Sequence, residues 1–199
     1  MKKTIRQGDL FSKNSIGYAG RGLSENIDFS KKQLEEWQNK IYLYQKKFFE
    51  ERIKHIKQKS LFNDEKICSL DNLNPVDLTP LPINFWRWQK PPHNGPAIYM
   101  VMERLERVNG YLLLYVGETI TAEKRWKGEH DCKGYLSAYS EALASKGITS
   151  QLSIRFWTDV PSATKSRRGI EQELIQKWLP PFNKESRTYW ATPFTTDAF

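Results

Sequence analysis

Cysteine is nearly absent from this chain. Cys68 and Cys132 are the only two among 199 residues, too few and too far apart in sequence for a disulfide framework or a thiolate zinc site. No run of about 18 apolar residues occurs, so no membrane span and no membrane partner are expected. The opening residues, Met1-Lys2-Lys3-Thr4-Ile5-Arg6-Gln7, lack the apolar stretch of a secretory signal. These gaps point to a reduced, cytoplasmic protein. There is also no internal repeat and no long low-complexity tract.

What is abundant is positive charge. The chain carries 31 Lys and Arg against 23 Asp and Glu, a net +8. Residues 1–62 hold 14 basic and 7 acidic residues, whereas residues 97–199 hold 14 and 12. The surplus sits in the N-terminal third. It is the footprint of a phosphate-binding arm or of a solvated helix face.

Residues 1–29 mix Gly, Ser, Asn and charge with few apolar residues and read as a mobile tail. Residues 30–62 form a long basic segment. Ser30 with Gln33 makes a capping box, and Leu34, Trp37, Ile41, Tyr44 and Phe48 recur at spacings of three and four. One helix over 31–59 is expected, with its apolar stripe packed on the rest of the protein. Residues 63–96 hold Pro75, Pro80, Pro82, Pro91, Pro92 and Pro96 and should carry little regular structure. Phe85, Trp86 and Trp88 around Arg87 either stack on bases or fold down as core.

Residues 97–199 read as one domain. Ala97-Ile98-Tyr99-Met100-Val101-Met102 and Tyr111-Leu112-Leu113-Leu114-Tyr115-Val116-Gly117 are strand material around Asn109-Gly110, a pair that favours a type I′ hairpin turn. A short helix capped by Thr121 then carries Arg125. Residues 135–146 read as a helix ended by Gly147. Leu152, Ile154 and Phe156 alternate with Ser153, Arg155 and Trp157 as a third strand. A last helix runs from Pro161-Ser162 to about Leu179, stopped by Pro180-Pro181. The tail with Tyr189, Trp190 and Phe194 should cover an apolar surface. The expected fold class is α+β: a small antiparallel sheet of three strands flanked by helices, with a long amphipathic helix before it.

Glu171, Leu174, Ile175 and Trp178 share one face of that last helix. A carboxylate on a core-facing stripe is costly unless a cation meets it. Glu171 is therefore a candidate metal ligand, or the partner of an Arg such as Arg125. One carboxylate suits Mg²⁺ (or Mn²⁺), which keeps most of its waters.

The ordered set Ala97-Ile98-Tyr99, Tyr115-Val116-Gly117, Arg125, Glu171 and Asn183 resembles the signature of the GIY-YIG nuclease family, as found in the nuclease domain of the bacterial excision-repair endonuclease. The resemblance covers residues 97–185. It implies a phosphodiester-hydrolysing endonuclease acting on DNA in repair or replication. Tyr99 would be the general base and Tyr115 would orient the attacking water. Arg125 would hold the scissile phosphate, Glu171 the metal ion, and Gly117 and Asn183 would support the site. Two positions depart from the pattern: Ala97 replaces the first glycine, and Glu118 stands where the repair relatives often have Lys. His130, one residue beyond a slot that some members fill with His or Tyr, is a further acid/base or phosphate-contact candidate.

Two short stretches, Gln7-Gly8-Asp9-Leu10-Phe11 and Gln58-Lys59-Ser60-Leu61-Phe62, resemble the peptide by which bacterial proteins dock on the replicative sliding clamp. That implies contacts through Gln7, Leu10 and Phe11 and through Gln58, Leu61 and Phe62. A restriction-type enzyme of the same family and a non-catalytic DNA-binding adaptor of the clamp are the alternatives. No zinc finger or recognition module is present to suit a long-site enzyme.

Overall fold

The computed structural model describes residues 29–50, 73–88, 90, 92–127 and 131–194. Four strands, β1 (Leu81–Pro82), β2 (Ala97–Leu105), β3 (Gly110–Thr119) and β4 (Leu152–Trp157), make one antiparallel sheet in the order β1-β4-β2-β3. Among the described residues the helices are α1 (Lys31–Glu50), α2 (Ala122–Arg125), α3 (Asp131–Ser145), α4 (Thr164–Trp178) and α5 (Lys184–Arg187). The architecture is α+β as expected, but with four strands rather than three. The extra strand, β1, spans two residues and lies within the proline-rich stretch. It is too short to show alternation, and Pro82 is tolerated because β1 is an edge strand.

Strand β2 is buried along nearly its whole length. Ala97, Tyr99, Val101 and Leu105 face one core and Ile98, Met100 and Met102 face the other. The period of two is that of a strand covered on both sides. The first core is roofed by α1 and α3, the second by Leu174, Ile175 and Trp178 of α4. The register of β2 against β3 slips between Val101 and Met102, which pair with Tyr115 and Leu113. Leu114 is the extra residue of this bulge. The bulge keeps Tyr115 and Gly117 on the Tyr99 side while Leu113 still enters the second core.

The hairpin turn differs from the expected two-residue type I′. Glu106–Val108 form a 3₁₀ turn, and Asn109 alone takes the left-handed conformation, at φ 46°. Gly110 begins β3 and is needed for another reason. A Cβ there would lie 2.4 Å from the Tyr42 ring of α1.

Helix α1 begins as its sequence suggests. Gln33 N–H donates to Ser30 Oγ at 3.2 Å, and Ser30 N–H donates to Gln33 Oε1 at 2.9 Å. Leu34 and Ile41 are fully buried, so the basic helix is a layer of the core. The end of the expected helix, residues 51–59, lies outside the described residues. At the other end of the sheet, Gly147 N–H bonds Ala144 O and Ile148 N–H bonds Leu143 O, with Gly147 at φ 67°, which is the Schellman stop expected of that glycine.

Strand β3 is the other edge of the sheet, and two side-chain amides cover it. Gln45 of α1 donates to Leu113 O at 3.0 Å and accepts from Leu113 N–H at 2.8 Å. Asn183 donates to Val116 O at 2.8 Å and accepts from Val116 N–H at 2.9 Å. Between them Phe182 N–H bonds Leu114 O at 3.0 Å. These bonds stand in for a fifth strand along residues 113–116.

Two residues, Arg155 and Tyr189, depart from the sequence reading. Arg155, on the polar side of the alternation, is 4% exposed. Its Nη1 donates to the carbonyls of Pro75, Val76 and Leu78, stapling that segment to β4. In the aromatic tail Phe194 is buried against Trp37, Tyr139 and Phe182, but Tyr189 stays exposed. Of the aromatic group at 85–88, Phe85 is core and Trp88 is exposed. No helix among the described residues is long and apolar enough to cross a membrane.

Candidate active site

Tyr99 faces Gly117 across the β2–β3 pair. A Cβ on Gly117 would come within 2.3 Å of the Tyr99 hydroxyl, so glycine is required by the approach of the phenol. The Tyr99 ring is 1% exposed. It stacks on Tyr115 at 5.9 Å and meets Trp126 edge-on at 5.6 Å.

Arg125 is delivered by a pinned single turn of helix. Ala122 N–H bonds Gly95 O at 2.9 Å at its start, and the Trp126 indole donates to Ile83 O at 3.1 Å just past its end. Thr121 holds the N-cap place without a side-chain cap bond. The exposed Arg125 donates a hydrogen bond to the Tyr99 phenol oxygen, and the Tyr99 and Tyr115 hydroxyls bond to each other.

Burial pushes both phenols above their ordinary pKa, Tyr115 further than Tyr99. Arg125 pulls Tyr99 back only in part. The lowered phenol that a free general base would need is not what this site provides in its resting state. For Arg125 burial works against the charge, but Tyr99, Tyr115 and Glu118 outweigh it and raise the pKa.

Glu171 comes to the same end of the hairpin from α4. Its Oε1 accepts the Glu118 N–H at 3.0 Å, and its charge is felt at Tyr115. Burial raises the Glu171 pKa, and the nearby carboxylates of Glu118 and Glu185 add to this. The alternative of an Arg125 partner is not realised among the described contacts.

Glu118 is itself occupied. It pairs with Arg167 at 2.9 Å and Arg168 at 3.3 Å. Arg167 is fully buried, and its Nη1 also donates to Pro161 O and Ser162 O. Glu118 thus locks the end of β3 to the start of α4. A buried pair of this kind fixes geometry more than it adds stability.

Tyr99, Tyr115, Arg125, Glu171, Gly117 and Asn183 therefore gather around one end of the hairpin. His130 lies outside the described residues, as do Gln7, Leu10, Phe11, Gln58, Leu61 and Phe62. The sequence reading missed Trp126, Lys133 and Arg167. Arg167 was open to discovery, because it precedes Glu171 by one helical turn on the same face.

Among the described residues no three His, Cys, Asp or Glu side chains group as a multi-ligand metal centre. Glu171 does fit a single-carboxylate ion. It is half-buried, one oxygen is fixed by a backbone N–H, and the other has no bond among the described residues. No protein-family model, no curated protein and no solved structure matches this chain.

Proposed function

We propose that this chain is a metal-dependent DNA endonuclease of the GIY-YIG type, hydrolysing one phosphodiester per site and so nicking its substrate. The observation that supports it is the convergence of a phenol pair, an exposed arginine and a half-buried glutamate at one hairpin end. In the reaction a water oxygen bonds to phosphorus and gives up a proton, the P–O3′ bond breaks, and the departing 3′ oxygen takes a proton from solvent to end as a hydroxyl.

Arg125 receives the phosphate, since a planar guanidinium offers donors to its oxygens and offsets charge in the transition state. Tyr99 and Tyr115 hold and orient the attacking water through their hydroxyls. With both phenols protonated at rest, Tyr99 can accept the water's proton only as it passes its own hydroxyl proton on, through the Tyr115 hydroxyl to solvent. Glu171 is the residue that would hold Mg²⁺ or Mn²⁺, whose bound form stabilises negative charge on the leaving oxygen. The Glu118 N–H and the Arg167 pair fix where that carboxylate points.

DNA repair or replication is the proposed setting. The sliding clamp is the proposed partner, through Gln7, Leu10 and Phe11 first. Exposed Lys31, Lys40 and Lys47 on α1 are offered to the DNA backbone, while Lys32 and Lys46 pair with Glu36 and Glu50 on the same helix.

The test is conversion of supercoiled plasmid to open circles with Mg²⁺. Wild type should nick and Glu171→Ala should not, while DNA binding in EDTA persists in both. Nicking by Glu171→Ala at the wild-type rate would remove Glu171 from the reaction. A second reading, a non-catalytic DNA-binding adaptor, is favoured by one observation: burial raises both phenols, and the residue after Gly117 is a carboxylate, Glu118, whose partners are Arg167 and Arg168. Wild type that binds DNA but never nicks it would select that reading.

A further inference from the structure

The endonuclease reading leaves the site short of one positive charge. Glu118 occupies the place after Gly117, and its carboxylate is committed to Arg167 and Arg168. Arg167 is sealed inside and cannot meet a substrate.

We infer that Lys133, in the first turn of α3, is the second cation of this site and binds the scissile phosphate together with Arg125; the inference rests on the endonuclease reading. Trp126, the neighbour of Arg125, and Cys132, the neighbour of Lys133, pack in one core cluster. Cys132 is fully buried there, in the cluster that also holds Tyr99. That anchor fixes the start of α3 against the phenols. The Lys133 ammonium lies 5.9 Å from the centre of the Trp126 ring, and the same ring meets Tyr99 edge-on at 5.6 Å. Lys133 is thus one aromatic ring away from the proposed water-holding phenol, and half-buried beside it.

The charges agree with this placement. Burial lowers the Lys133 pKa, and the Arg125 charge lowers it further. Two cations held near each other repel, and the arrangement becomes favourable when an anion lies between them. A phosphate diester is such an anion. Lys offers it a compact point charge, where Arg125 offers a planar fork. Lys133 would contact the non-bridging oxygens. Its expected contribution is to both binding and rate.

The experiment uses the full chain with Lys133→Met, which keeps an unbranched stem against Trp126 and removes the charge, and Lys133→Arg, which keeps the charge. Two quantities are read: kcat/KM for plasmid nicking with Mg²⁺, and DNA affinity in EDTA across a salt series. Lys133→Met should lose on the order of 10- to 100-fold in kcat/KM. Its plot of log affinity against log salt should flatten by about 0.9, one phosphate contact. Lys133→Arg should restore the salt slope.

If wild type nicks and Lys133→Met matches it in rate and slope, the inference falls while the endonuclease reading stands. If wild type binds without nicking but Lys133→Met still flattens the slope, the cation site stands and the nuclease reading falls. Should Lys133→Met melt early, Lys133→Gln read by the same salt slope decides the matter.

Discussion

Tyr99 and Glu103 stand on the same face of the same strand, and both are sealed from water, at 1% and 0% exposure. They differ in where their hydrogen bonds lead. From Tyr99 they run to Tyr115 and to Arg125, which is exposed, with half-buried Glu171 nearby. From Glu103 they run into the packing. Tyr139 donates its hydroxyl proton to Glu103 Oε2, Gln38 Nε2 donates to the Tyr139 oxygen at 2.6 Å, and Arg107 donates to Gln38 Oε1 at 3.3 Å. Arg107 also reaches Glu35 O at 3.1 Å. That chain joins β2, α3, α1 and the hairpin turn. A polar chain whose members bind one another across elements is a brace. One that ends on an exposed cation beside a half-buried carboxylate is open to a ligand. Burial of an ionisable group alone does not separate the two cases.

The strongest way to break this contrast is Arg125→Ala. If the Tyr99 end is a working site, nicking should fall about 10³-fold, roughly 4 kcal/mol of transition-state stabilisation. Because Arg125 is exposed, thermal stability should change by less than about 1 kcal/mol. A variant that nicks normally, or one that unfolds, would make Arg125 part of a brace as well.

The two ends were not equally legible. Ser30 with Gln33, Gly147, and the strands around Tyr99 and Tyr115 could be read because short-range chemistry determines them: a cap, a left-handed stop, an apolar alternation. The candidate site was legible as a set of residue types in order. The braces were not. Gln38, Gln45, Glu103 and Arg155 belong to residue types usually found on the surface, and local sequence does not say that a partner will come from far along the chain. Gln45 meets Leu113, and Arg155 meets the carbonyls of 75–78. The hairpin turn was misread because Asn109-Gly110 fits type I′. Here the steric demand of Tyr42 on Gly110, added to the 3₁₀ turn before it, accounts for the same two residues.

A second test sharpens the contrast through pH. Burial lifts the Glu103 carboxyl from its ordinary 4.5 to about 7, against the pull of Tyr139, Ser150, Arg107 and Gln151. Between those values the folded protein holds a proton that the unfolded chain has released. This contribution is therefore complete below about pH 4.5 and is lost as pH rises through about 7. Its ceiling is about 3 kcal/mol at 1.4 kcal/mol per pH unit. Glu103→Gln cannot titrate. Denaturation of both proteins from pH 4 to pH 8 should show wild type losing stability relative to Glu103→Gln across that window. Parallel curves would mean that Glu103 does not change its charge on folding.

The third test removes one hydroxyl from each end, which is the most direct comparison of the two and the smallest change to the molecule. Tyr139→Phe takes away the proton donated to Glu103 Oε2 and the oxygen that accepts from Gln38. Both partners are buried, at 0% and 1% exposure, so neither finds water instead. Leaving them unsatisfied should cost about 2 kcal/mol of stability. Nicking by the folded fraction should stay within a few-fold of wild type, since the brace lies at the far end of β2. Tyr99→Phe removes a hydroxyl whose partners are the exposed Arg125 and another hydroxyl, so its stability cost should be under about 1 kcal/mol. Its rate should fall on the order of 10²-fold if the phenol takes or positions the water proton. The two variants are thus expected to be opposite in kind: Tyr139→Phe weaker in denaturant but active, Tyr99→Phe stable but slow. Equal loss of stability in both, with activity following the folded fraction, would show that Tyr99 is one more brace. In that event the hairpin end would owe its polar residues to packing, and the adaptor reading would gain over the nuclease.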